Sequence, residues 1–427
     1  MSNLALNLVG TARRIPNRMA AIAEDTAMTY AELDAAASRF AAFLDSEGIG
    51  VGDRVGVMLP NIPAAPIAHY GIWRLGGVAV PMNPLMQAGE VPKGAELTHG
   101  SLGSNQDVVV RRLLNLTDDD VVLACLPLFH VFGMTRAMNA AVAAGAGLSL
   151  MARFQPVTAI ERIRRDRVTV LEAVPTMYSA LLSVADQFSP EATASLRTCV
   201  SGGAALPVAV LNDFEKTFDA VILEGYGLSE TSPAATFNHP DAERRPGSIG
   251  TPIEGVQVRL VDESGNEVPT GSPGEMQVKG PNVMKGYWNL PEATDASIKD
   301  GWFSTGDIAV VDEDGYYWIV DRKKDLISRG GYNVYPREIE EVLHERPAVA
   351  QVAVIGIAHD SLGEEVGAAV VLKAGETAVV EELRQFVKAR VAAYKYPRRI
   401  WFVEGLPTGP TGKLLRREVI PPPTEEA

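Results

Sequence analysis

Between residues 54 and 172 short runs of apolar and β-branched residues alternate with segments of helical spacing, and this rhythm restricts the fold more than any other property of the chain. Arg54–Leu59 reads as a buried strand, Pro63–Leu75 as a helix and Gly77–Val80 as a second strand, together a βαβ unit. The alternation returns as strand Val121–Leu126, helix Thr135–Ala144, strand Gly147–Met151, helix Pro156–Arg165 and strand Val168–Glu172. Parallel strands need such crossovers, so parallel α/β sheets are the expectation. Upstream, Thr29-Tyr30-Ala31-Glu32 has the form of a capping box, and Leu33, Ala37, Phe40 and Leu44 follow at helical spacing to about Ser46.

From Gly247 to Val320 the pattern changes to short alternating segments separated by turn residues such as Glu263-Ser264-Gly265-Asn266 and Asp312-Glu313-Asp314-Gly315, which reads as a small β subdomain. A helix opened by Pro336 follows, then strand Val349–Ile357, strand Gly367–Leu372, a helix from about Val379 to Ala392 and strand Ile400–Val403. The fold class is therefore α/β: a large N-terminal region of parallel α/β sheets with a small β subdomain, followed by a mobile α+β C-terminal domain. The boundary is placed at residues 320 and 321, with the charged run Asp321-Arg322-Lys323-Lys324 as the hinge.

Composition narrows the function. A chain of 427 residues exceeds one ordinary core, and 46% hydrophobic with 22% charged residues belongs to a globular protein. The net charge of −14 argues against a nucleic-acid partner. Two cysteines, Cys125 and Cys199, both in apolar runs, give neither a disulfide framework nor a zinc cluster, and fit a reduced, cytoplasmic compartment. No secretory leader or transmembrane segment is read; peripheral contact with a membrane stays compatible with the sequence, although no basic amphipathic segment points to it. Nothing in the sequence fixes an oligomeric state.

Several ordered blocks carry chemistry. Gly202-Gly203-Ala204-Ala205-Leu206 precedes Gly225-Tyr226-Gly227-Leu228-Ser229-Glu230-Thr231, followed by Trp302-Phe303-Ser304-Thr305-Gly306-Asp307, Asp321-Arg322-Lys323-Lys324-Asp325 and Pro410-Thr411-Gly412-Lys413. Together they resemble the adenylate-forming (AMP-binding) superfamily in its acyl-CoA synthetase branch, close to the fatty-acid and coumarate CoA ligases. The resemblance implies ATP-dependent activation of a fatty or aryl carboxylic acid to an acyl adenylate, then transfer to coenzyme A. It places Gly203, Ala204, Tyr226, Gly227 and Ser229 around the nucleotide and Mg2+ on Glu230. It also gives Asp307, read as lying in a turn, to the ribose hydroxyls, Arg322 to ribose or phosphate, and Lys93 to a phosphate.

By the same resemblance Lys413 is the lysine that meets carboxylate and α-phosphate during adenylation, and Lys324 occupies the hinge. Gly330 and Gly331, in Ser328-Arg329-Gly330-Gly331-Tyr332-Asn333-Val334, line the pantetheine path. His130, in Pro127-Leu128-Phe129-His130-Val131-Phe132-Gly133, orients the carboxylate or is a core histidine. Apolar Val131, Phe132 and Met134 suit a fatty or aromatic acid rather than an amino acid, whose ammonium would need a buried charged partner.

One block departs from the family pattern. Its phosphate loop, Thr-Ser-Gly-Thr-Thr-Gly before Pro-Lys-Gly, wraps phosphates in backbone N–H groups. Here Pro92-Lys93-Gly94 is preceded by Met86-Gln87-Ala88-Gly89-Glu90-Val91, which looks like the start of a helix that the family places much earlier. An in-frame loss of roughly 70 residues between Val91 and Pro92, about a strand-helix-strand portion, accounts for this, and should leave strand edges and apolar faces exposed. Two readings follow, a working ligase and a catalytically impaired nucleotide- or acyl-binding remnant.

Overall fold

The computed structural model describes residues 3–24, 26–85, 93–359, 361–409 and 414–423. Its residues cluster into two compact units, Met1–Val258 with Val278–Phe303, and Arg259–Gln277 with Ser304–Ala427.

The first unit holds a nine-stranded sheet. Six strands in a row, Ile222–Gly227, Thr198–Ser201, Val170–Ala173, Val121–Ala124, Gly147–Leu150 and Met19–Ile22, are parallel. Antiparallel strands flank them, Ala27–Thr29 at one end and Ala234–Phe237 with Thr251–Pro252 at the other. The four strands Val121–Ala124, Gly147–Leu150, Val170–Ala173 and Thr198–Ser201 are almost wholly buried, as expected of parallel strands covered on both faces. One core packs Leu123, Cys125, Ile160, Ile163, Leu171, Tyr178, Cys199, Phe214 and Ile222. There the Tyr178 and Phe214 rings meet edge to face at 4.8 Å, and the Tyr178 hydroxyl donates to the Val200 carbonyl at 2.8 Å. Truncating such a ring typically costs about 3–5 kcal/mol.

The capping box forms as its residues require. Thr29 Oγ1 accepts from the Glu32 N–H at 3.3 Å, Glu32 Oε2 accepts from the Thr29 N–H at 2.8 Å, and the helix Tyr30–Ser46 follows. The expected helix Thr135–Ala144 differs: residues Phe132–Asn139 form a π-helix that continues as the α-helix Ala140–Ala144. All eight π-helical residues are buried. Arg54–Val57 and Val78–Pro81 pair in parallel as a separate two-stranded sheet, joined by the helix Ala64–Leu75. Val78 and Val80 of that pair are 47% and 37% exposed.

In the second unit, Tyr317–Arg322 pairs with Trp302–Val311, and Ile327–Arg329 with Tyr332–Val334. A long antiparallel pair, Val349–His359 with Gly363–Leu372, carries the parallel strand Arg399–Phe402 on its other edge. Helices Pro336–His344 and Val380–Lys388 cover this sheet, burying Ile339, Leu343, Leu383 and Val387 against Val352, Val354, Val366 and Val370. Among the described residues no helix is long and apolar enough to cross a membrane.

At the amino ends of the parallel strands Asp120 ties three of them together. It accepts from the Thr117 N–H at 2.8 Å, from Thr169 Oγ1 at 2.7 Å and from Arg197 Nε and Nη2 at 2.8 and 3.0 Å. Burial pushes the carboxyl up, but the Arg197 guanidinium and the other donors together hold it below the usual aspartate range. A folded pKa below the unfolded one stabilises at neutral pH, and that contribution fades as pH falls toward the folded value. Arg197→Met is therefore expected to lower the urea midpoint at neutral pH, by an amount that shrinks as pH falls through the aspartate range. A deficit that stays constant with pH would show that Asp120 does not link these strands.

Candidate active site

In the first unit the strand Ile222–Gly227 runs into the block Leu228–Thr231, and its glycines are dictated by close packing. A Cβ on Gly227 would lie 2.0 Å from the Pro233 carbonyl oxygen, and one on Gly225 would lie 2.5 Å from Phe237 Cδ2. Tyr226 stands between them in register with Thr236. The Leu228 N–H donates to the Pro233 carbonyl at 3.1 Å and to Thr231 Oγ1 at 2.9 Å, which folds Ser229–Thr231 into a tight turn with Ser229 exposed and Glu230 half-buried.

Glu230 gains a partner that the sequence reading missed. The Tyr287 hydroxyl donates to Glu230 Oε1 at 2.9 Å, and the Glu230 carbonyl accepts from the Met284 N–H at 2.8 Å. Gly286–Tyr287 pairs antiparallel with Ala95–Glu96, the Trp288 N–H donates to the Gly94 carbonyl at 2.7 Å, and Lys285 faces Glu96 at 3.6 Å. These contacts seat the segment after Lys93 beside the Glu230 turn, with Lys93 Nζ 5.3 Å from the centre of the Tyr287 ring. Lys93 and Glu230, distant in sequence, therefore meet on one tyrosine. A lone tyrosine in Lys285-Gly286-Tyr287-Trp288 gave no signal by which it could have been singled out.

Gly203 and Ala204 follow the strand Thr198–Ser201, are exposed, and Gly203 takes φ +81°, a left-handed conformation suited to glycine. Gly202 abuts Phe132: a Cβ there would lie 2.9 Å from Phe132 Cε1. His130, two residues before Phe132, is half-buried and held by its own turn. Its Nδ1 accepts from the Phe132 N–H at 3.3 Å, its N–H donates to the Pro127 carbonyl at 3.0 Å and its carbonyl accepts from the Met134 N–H at 2.9 Å. His130 and Gly202 thus both adjoin Phe132, the first at its backbone and the second at its ring.

In the second unit Asp307 occupies a strand rather than the expected turn, within Trp302–Val311 and in register with Arg322. The aromatics before it lie in the same strand, in which Gly306 takes φ +72° and its carbonyl accepts from the Lys323 N–H at 2.9 Å. Asp307 is buried, with Oδ1 3.2 Å from Arg322 Nε. Arg322 is likewise in a strand, and Lys324 sits exposed in the turn after it. Gly330 and Gly331 make the hairpin turn between Ile327–Arg329 and Tyr332–Val334, at φ +58° and +84°. Lys413 and the segment Met86–Pro92 lie outside the described residues.

Farther along the same unit Arg416 gathers carboxylates. Its Nη2 lies 2.6 Å from Glu340 Oε2, and its Nη1 lies 3.8 Å from Asp325 and 4.0 Å from Asp321. Burial raises the pKa of Asp321 despite the Arg416 charge. Among the described residues no group of three or more potential ligands could hold a metal ion.

The profile of the AMP-binding enzyme family matches residues 9–91 and 91–288, and that of the AMP-binding enzyme C-terminal domain matches residues 338–413. The long-chain-fatty-acid–CoA ligase of Bacillus subtilis (strain 168) is 32% identical over 98% of this chain and 94% of its own length, in an alignment of 527 positions. The feruloyl-CoA synthase of Amycolatopsis sp is 34% identical over 96% of this chain and 97% of its own. Among solved structures, a benzoate CoA ligase from Burkholderia xenovorans LB400 superposes with a TM-score of 0.92 at 28% identity, covering 98% of this chain and 99% of that one. ATP-bound MatB from Rhodopseudomonas palustris superposes with a TM-score of 0.91 at 30% identity, covering 97% of each chain.

The Tyr287–Glu230 contact has a direct spectroscopic consequence. Burial, the Glu230 charge and the hydrogen bond to it all push the Tyr287 hydroxyl above the usual tyrosine range. Glu230→Gln removes the charge, so Tyr287 is expected to ionise at lower pH in that variant. Ring-carbon NMR of Tyr287 across an alkaline titration reads this directly, and an unchanged midpoint would mean that the two side chains do not meet.

Proposed function

The chain belongs to the AMP-binding enzyme family, and we propose on that premise that it is an acyl-CoA synthetase acting on a fatty or aryl acid. The observation that carries this reading is the convergence of Lys93 and Glu230 on Tyr287. It brings a half-buried carboxylate and an exposed cation to the same tyrosine, the charges needed by a magnesium–polyphosphate substrate.

In the first half-reaction a carboxylate oxygen of the acid attacks the α-phosphorus of ATP and pyrophosphate leaves. In the second the thiol of coenzyme A loses its proton, its sulfur attacks the acyl carbonyl and AMP leaves. Positioning and electrostatics supply most of such a rate. In the first unit we assign Tyr226, Gly227, Gly203 and Ala204 to the nucleotide base, Ser229 and Lys93 to phosphate oxygens, and His130 to the carboxylate. Glu230 would hold Mg2+, which neutralises leaving-group charge when bound. In the second unit we assign Asp307 to the ribose hydroxyls, its carboxylate oriented by Arg322, and Gly330 and Gly331 to the pantetheine arm, which passes close to backbone only where side chains are absent. Lys413 acts in adenylation and Lys324 in the hinge motion between the half-reactions. A fatty or aryl acid agrees with the relatives' names, long-chain-fatty-acid–CoA ligase and feruloyl-CoA synthase.

A second reading, an impaired nucleotide- or acyl-binding protein, is favoured by the junction at Val91. The family match breaks there, the alignment with the B. subtilis ligase is longer than the 427-residue chain, and the two-stranded sheet near it leaves Val78 and Val80 exposed. All three agree with a lost segment that included the phosphate loop.

Acid-dependent pyrophosphate release from ATP and Mg2+, across short, medium, long and aromatic acids, separates the readings. Release that rises with one class of acid is expected of a ligase, whereas silence from folded protein with AMP still binding favours the second. Lys413→Ala is expected to slow release by roughly 100-fold or more, as loss of a charge-stabilising group does, while sparing thioester formation from preformed acyl adenylate. Equal loss in both steps would refute that assignment. If the lost loop limits turnover, inserting the corresponding segment of a related enzyme should raise adenylation by orders of magnitude; a folded chimera with no gain would argue otherwise.

A further inference from the structure

The backbone of Tyr287 is held from several directions. Its N–H donates to Thr294 Oγ1 at 2.9 Å, its carbonyl accepts from the Leu290 N–H at 3.1 Å, and Gly286–Tyr287 pairs with Ala95–Glu96. A Cβ on Gly286 would lie 2.8 Å from Thr294 Cγ2, so the residue before the tyrosine is packed against the helix Pro291–Ser297 as well. This segment in turn holds Glu230 twice, at the backbone through the Met284 N–H and at the side chain through the Tyr287 hydroxyl. The hydroxyl engages Oε1, and among the described residues Oε2 of Glu230 accepts no hydrogen bond.

The first unit partners its carboxylates in two different ways. Glu172 is fully buried against a positive charge, with Oε1 3.3 Å from Nε of Arg136 in the π-helix. Glu230 is half-buried and meets a neutral hydroxyl, which orients it without cancelling its charge. Its unengaged oxygen is the hard donor that Mg2+ takes from a protein when phosphates and water complete the shell. Lys93 stands over the ring of the same tyrosine, so ring and hydroxyl serve different partners.

We propose that Tyr287 is a positioning residue that makes Glu230 a one-oxygen ligand and thereby sets a preference for Mg2+ over Ca2+. The inference rests on the assignment of Glu230 to Mg2+ in the ligase reading. Mg2+ is small and takes single oxygens in near-octahedral array, whereas Ca2+ takes more ligands and readily uses both oxygens of one carboxylate. An oxygen already engaged by a hydroxyl is the poorer ligand of the two, so the hydrogen bond disfavours two-oxygen ligation. Because the tyrosine's backbone is held, the carboxylate cannot turn both oxygens to a larger ion without losing that bond.

Calorimetric titration of the full chain with ATP, in MgCl2 or in CaCl2 and without any acid, reads the preference in the absence of turnover. Tyr287→Phe keeps the ring beside Lys93 and removes only the hydroxyl. It is expected to narrow the ratio of Mg2+- to Ca2+-supported ATP affinity by roughly 10-fold, the lower end of what loss of a ligand's hydrogen-bond partner costs. Tyr287→Leu removes the ring too, and should show the same narrowed ratio with ATP held more weakly in both salts. A wild-type ratio in these variants, including an equal loss in both salts, overturns the role, since damaged packing weakens ATP binding without choosing between cations. Pyrophosphate release by the unaltered protein across the acids named above tests the ligase reading separately. Release with an unchanged ratio removes only the role of Tyr287, and a narrowed ratio without release keeps that role and removes the ligase reading. An unaltered protein that binds ATP no better in MgCl2 than in CaCl2 overturns the preference itself.

Discussion

Parallel pairing of Val121–Ala124, Val170–Ala173, Thr198–Ser201 and Ile222–Gly227 is the constraint from which the first unit's candidate site follows. Parallel strands deliver their carboxyl ends to one edge of a sheet, and ligands of open α/β sheets bind beyond that edge. The segments that leave these strands are the ones with unusual chemistry: Pro127–Gly133, Val174, Gly202–Leu206 and Leu228–Thr231. Their glycines are explained by crowding at this edge, where Phe132 and Phe237 occupy the space that Cβ atoms on Gly202 and Gly225 would need. A substitution there would move an aromatic ring before it touched a ligand.

Much of this was legible because it is local. The capping box at Thr29, the βαβ unit around Ala64–Leu75 and the alternation after Val121 each depend on residues within a few positions of one another. Three features were not. The π-helix Phe132–Asn139 has no composition that distinguishes it from an α-helix, and an arginine in an apolar run gives no hint of a glutamate far along the chain. Tyr287 reaches Glu230 only because Gly286–Tyr287 pairs with Ala95–Glu96, a long-range pairing that neither segment announces. Asp307 was misread locally, since two aromatics before an aspartate do not tell a turn from a strand.

The two polar arrangements of the first unit differ in a way that matters for their roles. Glu230 is half-buried, so its charge keeps part of its hydration and can be shared with an incoming cation at modest cost. Glu172 is fully buried, and its side chain meets the Arg136 guanidinium. A carboxylate that keeps some of its water suits a ligand that arrives hydrated, whereas a sealed one serves its arginine partner.

The Arg416 contacts give the C-terminal segment a structural duty. Asp321 and Glu340 are both buried and repel one another, and the cation that reconciles them, Arg416, lies 76 residues beyond Glu340. A polypeptide still emerging from the ribosome, or one clipped before Arg416, would hold three carboxylates together without a counter-charge. The second unit would thus complete this cluster only once the chain had been made as far as Arg416.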